Sequence, residues 1–534
     1  MFATWAGWRT RTRLAVAGVT LAALVTAAPL ASASTLGGQA AAGGPIAGTA
    51  TGAVRGLADG AVDEFLGIPY AAPPVGALRW QPPQPAASWS GVRDATQFAP
   101  HCPQLAGPFG QASTSEDCLF LNVFTPGHRQ TGSRSPVMVW IHGGALVSGE
   151  SNDYDPTQLV EDGVTVVTIN YRLGALGFLA QPGLADANGQ SGDYGLMDQQ
   201  AALRWVQRNI ANFGGDPRNV TIFGESAGGL STLAQVASPQ ARGLFERAIA
   251  ESGSYNLTQA SLATAETAGA AFAAKAGCAS QTAACLRSLP VSTILADQDA
   301  SGYTPNINSE VLPETLGTAF ATGNFNRVPI INGTNHDEYR LFVALSELAG
   351  NPVTASNYQS MISATLDVPA AVAAVIAAQY PLSAYPSPPI ALGAVGTDAI
   401  FACPALTIDQ SVSRYVPTFG YEFNDENAPE NFLPPVSFPY GAAHATEIQY
   451  LMALPTAAFP GTLSAQQQQL AAIMKGYWTN FAKRGSPASF GTPFWPLFSA
   501  LTQKIQSLVP PAPQTETDFA TTHNCAFWAA LEGS

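Results

Sequence analysis

The segment NVTIFGESAGGL, residues 219–230, decides how this chain folds. Its first half is rich in β-branched and aromatic residues, which favour a strand, and its second half consists of small residues that let a helix begin close to that strand. Gly224 and Gly228 bracket Ser226, and a serine on such a turn has its hydroxyl exposed above the sheet, beside the amide of Ala227. The pattern G-x-S-x-G also occurs in ordinary turns, so the remainder of the chain must support this interpretation.

Length and composition allow a large buried core. The chain has 534 residues, of which 46% are hydrophobic and 11% are charged. Its net charge of -14 argues against a nucleic-acid partner, because binding phosphates requires a basic surface. Large α/β enzymes often keep one sheet, so we expect a single catalytic domain over residues 54–534.

The N-terminus has the features of an export signal. Three arginines precede an apolar run at residues 14–30, and residues 31–33, Ala-Ser-Ala, match a cleavage site. We interpret residues 1–33 as a signal peptide cleaved after Ala33, and the protein as secreted; the alternative is an uncleaved membrane anchor. Residues 34–53 are rich in Gly, Ala and Ser and are predicted to form a flexible leader. No later stretch is expected to be apolar for long enough to insert stably into a bilayer.

The six cysteines all lie downstream of this signal. An even number in an oxidising compartment favours disulfides, although six cysteines allow many pairings. Their sequence neighbours suggest three pairs, which are Cys102 with Cys118, Cys278 with Cys285, and Cys403 with Cys525. None has metal-ligand spacing with a histidine, so no metal site is predicted.

Continuous β-branched and aromatic runs, separated by helical sequence, are typical of a parallel sheet in an α/β fold. Besides the strand before Ser226, the predicted strands cover residues 116–123, 136–141, 164–171, 247–251, 328–332 and 418–423, and the main helix covers residues 196–213. Residues 65–80, rich in proline and aromatics, are predicted to be an extended segment laid over the body. The long segments 257–326 and 339–417 are predicted to form helical cap insertions over the sheet.

A catalytic serine needs a base to take its proton and an acid to orient that base. On a strand, turn and helix of this kind, the three residues follow the order serine, acid, histidine. Of the six histidines, His444 and His523 follow Ser226 with a plausible acid in between. Because His523 is two residues from Cys525, a structural role fits it better, and His444 is the predicted base.

The acid should follow the C-terminal end of a strand, where catalytic groups of such sheets gather. Asp337 and Glu338 directly follow the predicted strand at 328–332, and Asp425 and Glu426 follow the next one. We favour the first pair because it leaves the later strand free to carry the base. Composition does not decide between Asp337 and Glu338.

Backbone amides must also stabilise the negative charge that develops on the substrate oxygen. Gly143 and Gly144 follow a predicted strand, and glycine lets the backbone approach a substrate without a Cβ in the way. Together with Ala227, these two residues are the predicted donors of an oxyanion hole. The alternative is that Gly143 and Gly144 are an ordinary pair of loop glycines, and the motif around Ser226 argues against it.

These motifs together resemble one known family, the type-B carboxylesterases/lipases, which form the cholinesterase-like branch of the α/β-hydrolases. The resemblance runs from about Phe65 to the C-terminus. The matching blocks are FLGIPYAAPPVGALRW, EDCLFLNVFTP, WIHGGA, NYRLGALGFL, DQQAALRWVQRNIANFGGDP, VTIFGESAGG, GTNHDE, GAAHATEI and YWTNFAKRGSP.

The resemblance implies an α/β-hydrolase fold, with a mostly parallel sheet flanked by helices, and hydrolysis of carboxylic esters through an acyl-enzyme. It implies Ser226 as nucleophile, His444 as base, and Glu338 rather than Asp337 as acid. It also supports the three cysteine pairs. No cofactor is implied, and the expected partner is a small-molecule or lipid-like ester.

Two departures from the family pattern affect what can be transferred. The residues after the acid and the histidine are Tyr339 and Ala445, where the family commonly has glycine. The loop between Cys102 and Cys118 is short and contains no tryptophan, which argues against a choline site or a lipase lid there. The alternatives are an interfacial lipase on long-chain esters and a non-catalytic binding protein of the same fold. The natural ester and the oligomeric state do not follow from the sequence.

Overall fold

A computed structural model describes residues 43–127, 133–299, 303–489 and 492–533. The predicted signal peptide at 1–33 and the first part of the predicted leader lie outside these residues.

One eleven-stranded sheet forms the centre of the described structure, with strand order β16-β15-β14-β13-β10-β9-β7-β8-β6-β4-β3. Two small sheets, β1-β2-β5 and β11-β12, accompany it. The strands are β1 (Ile46–Gly48), β2 (Ala53–Arg55), β3 (Leu57–Asp59), β4 (Val62–Pro69), β5 (Val92–Asp94), β6 (Phe120–Pro126), β7 (Ser135–Ile141), β8 (Thr165–Ile169), β9 (Gly215–Glu225), β10 (Arg247–Glu251), β11 (Ala260–Ser261), β12 (Asn306–Ile307), β13 (Ile330–Asn335), β14 (Thr418–Phe423), β15 (Ile505–Leu508) and β16 (Gln514–Glu516).

The middle of the large sheet is parallel. Neighbouring strands from β8 through β7, β9, β10, β13 and β14 to β15 pair in parallel, while β6, β4 and β3 at one edge and β16 at the other pair antiparallel. Central strands such as β8 are buried along their whole length, as expected for a sheet covered by helices on both faces. The predicted parallel α/β sheet is therefore confirmed.

Helices pack on both faces of this sheet and fill the two long insertions. They are α1 (Thr157–Glu161), α2 (Gly174–Phe178), α3 (Tyr194–Asn209), α4 (Ala227–Ala237), α5 (Leu262–Lys275), α6 (Ala283–Ser288), α7 (Val291–Asp297), α8 (Leu316–Thr322), α9 (Arg340–Leu348), α10 (Tyr358–Leu366), α11 (Ala370–Gln379), α12 (Pro388–Gly396), α13 (Cys403–Val412), α14 (Ala465–Arg484), α15 (Phe519–Thr522) and α16 (Cys525–Gly533). A π-helical turn, Thr397–Ala402, joins α12 to α13. Segment 257–326 contains α5 to α8, and segment 339–417 contains α9 to α13.

The interpretation of residues 65–80 as a segment laid over the body is wrong. Their first part belongs to β4, which pairs with β6 inside the large sheet. At the other end Trp80 is fully buried, and its indole N–H donates to the carbonyl of Ala175 at 2.8 Å. The prolines permit this because β4 ends at Pro69, before the proline-rich part begins.

The predicted flexible leader is also wrong for its last residues. Ile46–Gly48 form β1, which pairs antiparallel with Ala53–Arg55. The side chain of Ala47 is buried against the large hydrophobic core. A strand of only three residues is too short for an alternating pattern to stand out in the sequence, so the Gly- and Ala-rich composition concealed it.

Among the residues that the structure describes, one later helix is long and apolar enough to span a membrane by length and composition, contrary to the sequence-based expectation. It is the continuous helix of 25 residues from Pro388 to Val412, which includes α12, the π-helical turn and α13. Its prolines and its aspartates, Asp398 and Asp409, divide the apolar pattern in the sequence. In the folded protein 78% of its most apolar window is buried, so it serves as a core helix.

The three predicted disulfides are confirmed. The structure contains Cys102–Cys118, Cys278–Cys285 and Cys403–Cys525. The last pair links residues 122 positions apart and attaches α16 to the N-terminus of α13.

The contact between α4 and β7 predicts a strict requirement for glycine at position 228. A Cβ on Gly228 would lie 1.8 Å from the carbonyl oxygen of Ile141, so Gly228→Ala forces α4 away from the sheet. We expect a loss of about 3 kcal/mol in the free energy of unfolding, measured by urea denaturation. Gly48→Ala is the matched control, because no atom lies within 4 Å of its Cβ position. Equal stability of the two variants would contradict this account of the contact.

Candidate active site

Ser226 lies at the turn between β9 and α4, as the sequence predicts. Its backbone has φ 55° and ψ -120°, a conformation that a residue with a side chain rarely adopts. The turn is held by its own backbone: Ser226 N–H donates to the carbonyl of Glu251 at 2.9 Å, and its carbonyl accepts from Leu230 N–H at 2.8 Å. Strain at this position is therefore maintained by the sheet on one side and the helix on the other.

Strands that neighbour β9 in the sheet bring the other predicted residues to the same edge. Glu338 follows the C-terminal end of β13, and His444 lies in the loop after β14. The Nδ1 atom of His444 is 2.5 Å from Oε2 of Glu338. Both side chains are buried, with 4% and 0% of their surface exposed, so solvent competes little with this contact.

Glu338 is firmly oriented by its own turn. Its Oε1 atom accepts hydrogen bonds from the hydroxyl of Thr334 and from the backbone amide of Asn335, both at 2.7 Å. The second oxygen is thereby left facing His444. This arrangement fixes the tautomer of His444, because the nitrogen that faces a carboxylate must carry the proton.

The rival acids have other partners. Asp337 binds the guanidinium of Arg340 at 2.8 Å and accepts from the amide of Ala442 at 3.0 Å. Asp425 accepts from the amide nitrogen of Gln467 at 2.8 Å and from the hydroxyl of Tyr450. Of the four carboxylates that the sequence offered, Glu338 is the one that the structure places against His444.

His523, the rival base, is engaged elsewhere. Its Nδ1 atom is 2.6 Å from a carboxylate oxygen of Asp398, and its Nε2 atom is 2.6 Å from one of Glu422. Unlike His444, His523 does not line the cavity onto which Ser226 opens.

Sequence reasoning missed Glu225, the residue immediately before Ser226. Its Oε1 atom lies 3.2 Å from Nε2 of His444, the ring nitrogen opposite the one that faces Glu338. The contact between Glu225 and His444 is visible only in the folded turn, because the strand pattern alone predicts an ordinary buried position for Glu225. The imidazole therefore lies between two buried carboxyl groups.

This placement alters the proton affinity of the imidazole. Burial alone lowers the pKa of His444, but the charges of Glu225 and Glu338 outweigh burial and raise the pKa from 6.5 to about 9. Burial also raises the pKa of Glu225 well above its ordinary value, and the charge of His444 opposes that rise. His444 is consequently a stronger base than a free imidazole.

The predicted oxyanion loop follows β7 and passes directly beside the serine. A Cβ on Gly143 would lie 2.9 Å from a carboxylate oxygen of Glu225, 3.0 Å from the carbonyl oxygen of that residue and 3.2 Å from Cβ of Ser226, so glycine suits this close approach. Gly144 has φ 95° and Ala145 has φ 55°, so the loop turns through left-handed conformations just after this point. Ala145 is a candidate donor that sequence reasoning missed, because the motif suggested glycine alone.

A cavity of about 150 Å³ opens onto Ser226 and His444. Segment 107–111 of the loop closed by the Cys102–Cys118 disulfide forms one wall, and helix α9 forms another. The lining is largely apolar and includes Phe109, Phe342 and Phe432. Its charged members among the described residues are Asp153, Glu225 and His444; no lysine or arginine lines it there.

Within the part of the chain that the structure describes, no group of three or more His, Cys, Asp or Glu side chains could hold a metal ion.

A mostly parallel sheet, a strained serine at a strand-to-helix turn, and a buried carboxylate and imidazole that follow in chain order define an α/β-hydrolase. The family model that describes the carboxylesterase family matches residues 43–528. The chain therefore belongs to the carboxylesterase family and hydrolyses carboxylic esters.

Curated relatives agree with this assignment. The chain is similar to the acylcarnitine hydrolase of Mus musculus, with 36% identity over 501 residues, covering 88% of each chain. It is equally similar to the cocaine esterase of Oryctolagus cuniculus, with 36% identity covering 88% of this chain and 93% of the relative. A pyrethroid hydrolase of Rattus norvegicus is 35% identical, covering 88% of this chain and 87% of that protein.

Proposed function

We propose that the protein is a secreted serine carboxylesterase in which Ser226 is the nucleophile, His444 the general base and Glu338 the residue that orients the base. The observation that carries this proposal is the 2.5 Å contact between His444 and Glu338 at the cavity that Ser226 lines. The order of the three residues along the chain is the order that this turn requires.

The reaction proceeds in two halves. His444 Nε2 takes the hydroxyl proton as Ser226 Oγ attacks the ester carbonyl, and the same proton then passes to the leaving alcohol. In the second half His444 takes a proton from water, the water oxygen attacks the acyl-enzyme, and Ser226 recovers its proton as the acid leaves. Glu338 stabilises the imidazolium that forms in each half. No cofactor takes part.

We assign the oxyanion hole to the amide of Ala227 and to amides of the loop after β7, where Gly143 and Gly144 are the donors predicted from the sequence and Ala145 is a further candidate. Each amide of such a site supplies on the order of 3 kcal/mol of transition-state stabilisation.

The cavity favours esters with an apolar group of modest size. Phenylalanine rings line it, and about 150 Å³ accommodates a short acyl or aryl group without rearrangement. The relatives named for acylcarnitine, cocaine and pyrethroid hydrolysis act on small-molecule esters, which supports the same class of substrate here.

Replacing the nucleophile is the direct test of this mechanism. Ser226→Ala should reduce kcat for a soluble ester such as p-nitrophenyl acetate by about a millionfold, because no other hydroxyl replaces it. Ser231→Ala is the matched control on the same helix: Ser231 is buried and accepts from the amide of Gln199 at 3.0 Å, but does not line the cavity. Hydrolysis by Ser226→Ala within tenfold of the wild type would refute the assignment.

The raised pKa of His444 predicts the pH dependence. Protonated His444 accepts no proton, so kcat/KM should rise with pH along a limb that lies above 6.5, toward the pKa of about 9. Glu225→Gln removes a charge that raises this pKa, so the limb should move to lower pH. Glu161→Gln, an exposed carboxylate on α1, controls for net charge. A limb that is unmoved by Glu225→Gln would contradict the effect of Glu225 on the pKa of His444, and a rate independent of pH between about 5 and 8 would contradict His444 as base.

Secretion is proposed from the N-terminal sequence. The full chain is expressed with its own N-terminus in a secreting host. The enzyme should then appear in the culture medium, and N-terminal sequencing should give Ser34 as its first residue. Retention in the membrane fraction with residues 1–33 intact would favour the uncleaved anchor.

A further inference from the structure

The π-helical turn Thr397–Ala402 lies far from Ser226 in sequence but contacts the elements that carry Glu338 and His444. π-Helical turns are rare, because they interrupt the regular hydrogen bonding of an α-helix. Those that exist occur frequently at functional sites. This turn interrupts a helix that otherwise runs without a break from Pro388 to Val412.

One contact of the turn restrains the residue after the acid. The hydroxyl oxygen of Thr397 accepts a hydrogen bond from the backbone amide of Tyr339 at 3.0 Å. The ring of Tyr339 packs so closely on Gly396 that a Cβ there would lie 2.1 Å from it. The backbone immediately following Glu338 is therefore bound to the start of the turn.

A second contact restrains the base itself. The ring of Phe401, near the end of the turn, lies 5.2 Å from the imidazole of His444. Phe342 lies at the same distance from His444 and 5.8 Å from Phe401. These two rings limit the rotation of the imidazole. One turn of helix therefore contacts the imidazole of His444 and the backbone of Tyr339, the residue after Glu338.

The opposite side of the turn is anchored by His523. Its imidazole bridges Asp398, inside the turn, and Glu422, on β14, at 2.6 Å from each. The hydroxyl of Tyr380 also donates to Asp398 at 2.7 Å, and the Cys403–Cys525 disulfide begins one residue after the turn. All three ionisable side chains of the bridge are buried, with at most 5% of each side chain exposed.

Buried carboxylates need a cation between them, since they would otherwise repel each other. Burial lowers the pKa of His523, but Glu422 and Asp398 outweigh burial and raise it to about 10. With both ring nitrogens protonated, His523 donates to one carboxylate on each side. It thus joins the turn to the central sheet.

We infer that the π-helical turn positions Glu338 and His444 for the reaction, and that His523 is the positioning residue that holds the turn against the sheet. This inference rests on the proposed function of Glu338 and His444. His523 touches no reacting atom; it acts through Asp398, the turn and the residues that the turn contacts.

The test compares a neutral and a cationic replacement. His523→Gln cannot compensate two carboxylates, whereas His523→Arg keeps a fixed charge and several donors. With p-nitrophenyl acetate, and rates expressed per active site titrated with a serine-directed phosphonate, we expect kcat of His523→Gln to fall about 10- to 100-fold, because small misplacements of catalytic groups cost this much. KM should change less than about twofold, and His523→Arg should recover kcat to within about threefold of the wild type.

Arg79→Gln is the control for loss of a buried ion pair. Arg79 binds Glu116 and the carbonyl of Leu289, and none of these residues lines the cavity. This variant should lower Tm while leaving kcat within about twofold of the wild type. If His523→Gln behaves in the same way, with reduced Tm and unchanged kcat, His523 stabilises the fold only and the inference is overturned.

Thr397→Val decides the question if His523→Gln does not fold. It keeps the side-chain shape but removes the acceptor for Tyr339 N–H, so kcat should fall about tenfold at unchanged KM. Unchanged kcat would overturn the inference. Ser226→Ala in the same assay separates the two proposals: if it remains active, the proposed mechanism fails, and if it is inactive while Thr397→Val is fully active, only the role of the turn fails.

Discussion

The close approach of α4 to the end of β7 is the constraint on which the site depends. Gly228 lies against the carbonyl of Ile141, and this contact places the serine turn directly beside the loop that begins at His142. The loop in turn is held by the ring of Tyr171, which stacks on His142 at 4.4 Å and donates its hydroxyl to the carbonyl of the same residue at 2.8 Å. The proposed nucleophile and the proposed oxyanion loop therefore share one rigid support, and neither can shift without the other.

Much of this architecture could be predicted, because the hydrophobic pattern of a short stretch of sequence indicates which element it forms. The strands at Arg247–Glu251 and Thr418–Phe423 have the predicted bounds, since buried parallel strands are continuous β-branched and aromatic runs. The confirmed disulfides were predicted by pairing each cysteine with the next cysteine along the chain. The choice of His444 followed from the order of residues that a serine on such a turn requires, and the contact with Glu338 agrees with that choice.

What sequence could not supply is the orientation of side chains and amides across distant segments. In the sequence, Glu225 is one more residue of a predicted strand. In the structure, the turn directs its carboxyl group toward His444. Strand β1 and the membrane-like helix at residues 388–412 were misjudged for the same reason, because pairing and burial are properties of the folded chain rather than of a short window.

The charge of the cavity also bears on how each turnover ends. Hydrolysis converts a neutral ester into a carboxylate, and this anion forms in a cavity whose ionisable members among the described residues include Asp153, Glu225 and His444. Like charges in a site of low dielectric repel strongly, and opposite charges attract strongly. Because the pKa of each of these three groups is raised, a rise in pH removes the cation that would hold the product and ionises the carboxyl groups that repel it, so release of the acidic product should become easier as pH rises.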